Sequence, residues 1–167
     1  MSVRAAIEAD VDELTQIWHD GWHDAHARLV PAELVELRTL KSFRDRLRAD
    51  LNAVQVLHTR GTMAGLSMIR GDELYQFYVA ESFRGSGAAV VLMADAEARL
   101  AERGVEVAWL ACATGNDRAA RFYEKCRWTR TGTIITDLGT TSGPFPLKVW
   151  RYEKHLIVPQ DRARQTE

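Results

Sequence analysis

The alternation of apolar and polar positions divides the chain into short strand-like runs and amphipathic helices. Val3 to Ile7 reads as a first strand, and Asp10 with Glu13 forms a capping box for a helix carrying Val11, Leu14, Ile17, Trp18 and Trp22 on one face. Pro31 suits the first turn of a second helix, and Ser42 with Asp45 starts a further helical segment running to Asp50. Ala53 to His58 and Met63 to Ile69 predict strands joined around Arg60-Gly61, and Arg70-Gly71-Asp72 turns the chain into Glu73 to Ala80, an antiparallel meander. Val90, Val91, Met93, Ala94, Ala96, Ala98, Leu100 and Ala101 then give a helix apolar over a wide arc, ended by Gly104. Val105 to Ala113 is nearly all apolar, as suits a strand covered on both faces, and reaching it through a helix makes it parallel to the strand before. A short helix from Asn116 to Lys125 and two strands, Thr129 to Asp137 and Leu147 to Glu153, complete the pattern, with 139–146 as an irregular connection. The expectation is an α/β (α+β) fold in one domain over 1–158. Its sheet is mixed, mostly antiparallel, of about seven strands with helices on both faces, and a polar tail covers 159–167.

Composition narrows the partners. A chain of 167 residues, 46% hydrophobic, suits one compact domain, and 22 basic against 23 acidic residues give no global field for nucleic acid or an anionic membrane. Arg44, Arg46 and Arg48, interleaved with Asp45 and Asp50, read as a solvated helix face. No apolar run reaches the ~18 residues that span a bilayer, and Met1 to Asp10 lacks the apolar core of a signal peptide, so a cytoplasmic protein is expected. Cys112 and Cys126 have no metal-type spacing, and Cys112 lies in an apolar run. Both are expected to be reduced.

The run Arg84-Gly85-Ser86-Gly87-Ala88-Ala89 lies between a strand and a helix. Two glycines there let a backbone approach a bound group, and the helix that follows turns its free N–H groups toward it, which is how a pyrophosphate is held. A plain turn gives the same pattern. The dinucleotide-binding fingerprint fails because Val90 stands at its third glycine, and a P-loop fails because no Gly-Lys-Ser/Thr follows.

Three motifs in this order resemble the GNAT superfamily of acyl-CoA-dependent N-acyltransferases over roughly Val3 to Lys154. Arg84, Gly87 and Ala89 fill the family's Arg/Gln-x-x-Gly-x-Gly/Ala loop. Asn116 is followed seven residues later by Tyr123 on a short helix, and Trp22 precedes the Leu-x-Pro-x-x-Leu-like run Leu29 to Leu34. One departure is Arg127-Trp128, where the family has Gly-Phe; a non-glycine in the left-handed region costs ~1 kcal/mol.

The resemblance implies an acetyl-CoA-dependent N-acetyltransferase that joins donor and primary amine in a ternary complex, with no covalent enzyme intermediate. The alternative is an acyl-CoA sensor without catalysis. Strands ending near Val79 and Ala113 are expected to splay apart for the pantetheine arm. Phe77, Tyr78 and Val79 would line that path, and the backbone of Arg84, Gly85, Ser86, Gly87, Ala88 and Ala89 would take the pyrophosphate. The Val79 N–H would serve the thioester oxygen. Asn116 would contact the CoA arm or cap its helix. Tyr123 would protonate the departing thiolate, while Glu73 or an ordered water would take the amine proton. Asp20, Trp22, His23 and His26 would form a wall of the acceptor pocket. His19 and His23, one helical turn apart, resemble a zinc motif, but Asp20 stands where that motif has its Glu and Gly21 weakens the helix, so no metal is expected. Asp20, Asp24 and Glu33 point toward a cationic acceptor, a small molecule or a peptide. A homodimer is the default assembly.

Overall fold

The computed structural model describes residues 1–160, so the tail expected over 159–167 lies outside them except for Pro159 and Gln160. Strand β1 (Ser2–Ala5) leads to helices α1 (Val11–His26), α2 (Ala32–Leu37) and α3 (Leu40–Ala49). The meander β2 (Val54–Thr59), β3 (Thr62–Arg70) and β4 (Glu73–Val79) follows, then α4 (Ala88–Glu102), β5 (Val107–Ala113), α5 (Asp117–Lys125), β6 (Thr129–Thr140) and β7 (Gly143–His155). The seven strands form one sheet in the order β1-β2-β3-β4-β5-β7-β6, antiparallel except where β4 meets β5.

The apolar stripe of α1 does what its spacing requires. Val11, Leu14, Trp18 and Trp22 are buried with Phe43 and Leu47 of α3 against Val56, Leu66 and Met68 on one face of the sheet. On the other face α4 sets Met93, Ala96 and Leu100 beside Leu110 and Tyr152, and α5 adds Ala120 and Tyr123. Helices therefore cover both faces. No helix among the described residues is long and apolar enough to cross a membrane.

Several local expectations are corrected. Asp10 does not cap α1 with its side chain; its carboxylate accepts from the Ile7 N–H at 2.9 Å, closing the short 3-10 turn Glu8–Asp10, and from the Arg4 guanidinium at 2.7 Å. The Arg4 bonds hold that carboxyl below the usual carboxylate range. Helix α3 begins at Leu40 because the Thr39 hydroxyl accepts the Ser42 N–H at 3.1 Å, ahead of the expected start at Ser42. Its arginines do not share one solvated face. Arg48 pairs with Glu8, whereas Arg46 lies 4.5 Å from the Trp18 ring centroid and donates to the Tyr75 hydroxyl.

The expected irregular connection over 139–146 is a regular hairpin in which β6 and β7 stay paired to Thr140↔Gly143. Its prolines are the strand-breaking signal behind that expectation. Pro144 and Pro146 lie past Val149, the last β7 residue paired with β5, so that stretch has a neighbour on one side only. A residue without an N–H is tolerated there.

Helix α5 closes in the left-handed conformation that the resemblance implies, but without glycine. Arg127 takes φ 66°, its N–H reaches the Glu124 carbonyl at 3.0 Å, and the Trp128 N–H reaches the Tyr123 carbonyl at 3.0 Å. Arg127→Gly is expected to raise stability by roughly 0.5–1 kcal/mol, since relief of the left-handed strain exceeds the added freedom of the unfolded chain. Urea denaturation reads this directly. A midpoint at or below that of the parent protein would show that the arginine is not strained.

Candidate active site

Strands β4 and β5 are joined by a single register pair, Glu73↔Trp109. The Trp109 N–H donates to the Asp72 carbonyl at 3.1 Å, and its indole N–H to the Asp72 carboxylate at 3.0 Å. Beyond this point the strands part, as the parallel pair was expected to. The Ala80 N–H goes to Ala64 on β3 at 2.8 Å. Alternation along a strand therefore turns the Val79 N–H toward the gap.

A bulge shapes the same strand. Ile69 faces Leu74 and Met68 faces Gln76, so Tyr75 is the extra residue on β4. The shift brings Tyr75 and Tyr78 onto the α1 side, while Leu74 and Phe77 face the opposite core. Tyr78 packs so close to α1 that a Cβ at Gly21 would stand 2.7 Å from its ring. That contact explains a glycine inside a helix, which the sequence alone shows only as a weakness.

The gap opens into a cavity of about 590 Å³. One end is the glycine loop. Gly85 and Gly87 have φ of 75° and 86°, and Gly87 immediately precedes α4. The N–H groups of Arg84 and Ser86 are bonded within the loop, and that of Ala88 to the Ser86 hydroxyl. Those of Gly85, Gly87 and Ala89 have no partner among the described residues, and all three residues line the cavity. Ser86 and Ala88 do not line it: the Ser86 hydroxyl donates to the Phe83 carbonyl at 2.6 Å, and the Ala88 side chain is buried in the core. The alternating free donors at a helix N-terminus form a concave anion receptor, which fits a pyrophosphate. Arg84 lines the cavity too, and its guanidinium holds Asp24 of α1 at 2.8 Å, while Arg118 of α5 holds the same carboxylate at 2.9 Å. These bonds, that from Arg118 foremost, keep Asp24 below the usual carboxylate range.

Phe77, Tyr78, Val79, Asn116 and Tyr123 line the middle of the cavity. Asn116 caps α5, accepting the Ala119 N–H at 3.3 Å, so its capping role is real and its amide still borders the cavity. Tyr123 is buried, with its ring centroid 5.8 Å from that of Tyr152, and its hydroxyl has no partner among the described residues. Burial raises its phenol well above the ordinary value, and neighbouring Cys112 and Tyr78 add to the shift. Cys112 is buried and pushed up to about 12 by desolvation, so no thiolate is available there.

Glu73 lines the cavity beside the β4–β5 junction, and burial raises its carboxyl to about 7 against the opposing pull of Arg70. Six residues of strand separate it from Val79. At roughly 3.3 Å per residue that is close to 20 Å, too far for a proton to pass directly.

Of the residues expected at the acceptor wall, Trp22 and His26 line the cavity and Asp20 and His23 do not. Asp20 is exposed and bonded to His19 and Gln16. His23 donates Nε2–H to the Arg38 carbonyl at 2.7 Å. His26 donates Nδ1–H to the Trp22 carbonyl at 2.9 Å, which leaves Nε2 as an acceptor. Burial lowers the His26 pKa to about 4, so the ring is neutral near pH 7. The opposite wall, Thr136, Leu138, Leu147 and Val149 of the β6–β7 hairpin, has no place in the sequence reading. Three of the four lie within the strands expected over 129–137 and 147–153, and the period-two spacing of Thr136/Leu138 and Leu147/Val149 puts each pair on one face, without showing that this face meets the cavity.

The acetyltransferase (GNAT) family matches over residues 12–127. An uncharacterized N-acetyltransferase of Mycobacterium tuberculosis (strain H37Rv) is 36% identical over 118 residues, covering 68% of this chain and 73% of that protein. Solved structures that share the fold include two acetyltransferases. A GCN5-related N-acetyltransferase of Rhodopseudomonas palustris has a TM-score of 0.72 at 18% identity, over 93% of this chain and 95% of that one. The Paia N-acetyltransferase of Thermoplasma acidophilum, solved in complex with coenzyme A, has a TM-score of 0.69 at 17% identity, over 92% and 98%. With the family match running from α1 through the glycine loop to the end of α5, the chain belongs to the GNAT family of acetyl-CoA-dependent acetyltransferases.

Proposed function

We propose that this acetyltransferase transfers the acetyl group to a primary amine by direct attack while donor and acceptor are bound together. The observation that carries the reading is one continuous cavity joining the free N–H groups of the glycine loop, the Val79 edge, Tyr123 and Glu73. Acetyl-CoA supplies an acetyl group activated as a thioester. The N–H groups of Gly85, Gly87 and Ala89 receive the pyrophosphate, and the N-terminal end of α4 adds its dipole. The Val79 N–H takes the acyl oxygen as negative charge builds on it. Tyr123 holds a proton for the departing sulfur. Glu73 receives the amine proton at the end of a water relay along the cavity, because the strand length rules out direct contact with the acyl site.

Neither cysteine has the environment of a nucleophile: desolvation raises both thiols. Initial velocities over a matrix of acetyl-CoA and amine concentrations are expected to give intersecting reciprocal lines. Parallel lines, the pattern of a covalent acetyl-enzyme, would overturn direct attack.

The carboxyl of Glu73 must be ionised to act as a base, so kcat at saturation is expected to rise about tenfold per pH unit below its pKa, near 7, and to level above it. In Glu73→Gln the acidic limb near 7 should vanish and the plateau fall. A variant that keeps the limb would assign it to another group.

A further inference from the structure

Resting on the acetyl-transfer reading, we propose that the acceptor is a small primary amine on an apolar, ring-sized body, and that amines with a second positive charge are rejected. The acceptor side of the cavity is bounded by Trp22 and Val30 on one side and by Leu138, Leu147 and Val149 on the other. His26 stands among them, with Nε2 free to accept an amine N–H.

Acids that would suit a polycation are engaged elsewhere. Asp20 is turned to His19 and Gln16, Asp24 is held between Arg84 and Arg118, and Glu33 is exposed and absent from the lining. Glu73 is the one carboxylate among the lining residues. Its place at the far end of the relay leaves no lining carboxylate to receive a second ammonium.

A fixed positive charge stands behind this wall. Arg38 is 2% exposed, lies 6.0 Å from the Trp22 ring centroid and donates to the Gly139 carbonyl at 2.7 Å on the hairpin. Its Nε is buried without a partner, and no carboxylate within ion-pair distance faces it among the described residues. Burial lowers its pKa only to about 10, so it remains charged at neutral pH. The guanidinium thus repels a second ammonium, while the apolar wall favours each buried methylene by about fourfold in affinity.

The test compares 2-phenylethylamine with spermidine at saturating acetyl-CoA. The expected kcat/KM ratio favours 2-phenylethylamine by about 100-fold. Leu138→Asp, which places a carboxylate on the wall, is expected to narrow that ratio at least tenfold, with thermal denaturation confirming that the variant is folded. Spermidine acetylated as well as or better than 2-phenylethylamine would overturn this proposal and leave the acetyl-transfer reading standing. Acetyl transfer to neither these amines nor any other would overturn both. A folded Leu138→Asp protein with an unchanged ratio would remove the hairpin from acceptor selection and overturn the assignment of this wall.

Discussion

Tyr123→Phe is expected to lower kcat by about 10²- to 10³-fold and to leave the affinity for acetyl-CoA within about twofold. The substitution removes one oxygen and keeps the ring that packs against Phe122 and Tyr152. Since the hydroxyl bonds to nothing among the described residues, its loss breaks no native hydrogen bond, and the melting temperature should barely move. The raised pKa of this phenol does not disqualify it as a donor. The same desolvation that keeps its proton on also destabilises the sulfur anion leaving beside it, so both partners move in one direction. A donor thioester whose thiol is more acidic needs less help, and its rate should fall less in the variant. Parallel kcat and calorimetric measurements decide the matter. A kcat within fivefold of the parent protein would take the proton-donor role from Tyr123.

Gly87→Glu is expected to abolish measurable acetyl-CoA binding in a calorimetric titration. A Cβ at this position meets nothing within 4 Å, so the effect does not come from crowding. Two other causes act. The residue has φ 86°, which a side chain tolerates at a cost of ~1–2 kcal/mol, and its carboxylate stands where the loop's free N–H groups await an anion. Gly87→Ala separates them, because it carries the backbone strain without the charge. The alanine variant should lose some stability and retain most of the binding. Equal loss of binding in both variants would make the left-handed backbone, and not charge repulsion, the cause.

Much of the scaffold was legible because its signals are local. The period of α1 buries the residues its spacing selects, and the glycines of the 84–89 loop announce its left-handed backbone. Tyr123 and Asn116 reach the cavity because a short helix that sets them seven positions apart fixes their relative placement. What failed depends on contacts between separate elements. Asp24 reads as part of a cationic-acceptor site, but two arginines, 60 and 94 residues away, hold its carboxylate. Arg46 read as solvated because its partners, Trp18 and Tyr75, come from other elements. The regular end of the hairpin, over 139–146, is obscured since two prolines break strands in general but not on a stretch with one neighbour. Asp10 has the spacing of a cap, yet Arg4 on a separate strand takes the carboxylate instead.

The single pair joining β4 to β5 also bears on aggregation. An outer strand with unpaired peptide groups is a template for other chains, and proteins blunt such edges with charge, proline or brevity. Here two further edges exist inside the sheet, created where β4 and β5 diverge, and neither carries such protection. They lie within a cleft bounded by α1 and α5. Inserting a foreign strand would need about 10 Å between them, two strand spacings, along with passage past both helices. The fold can therefore keep sticky main-chain edges permanently open to a slender ligand without offering them to another protein.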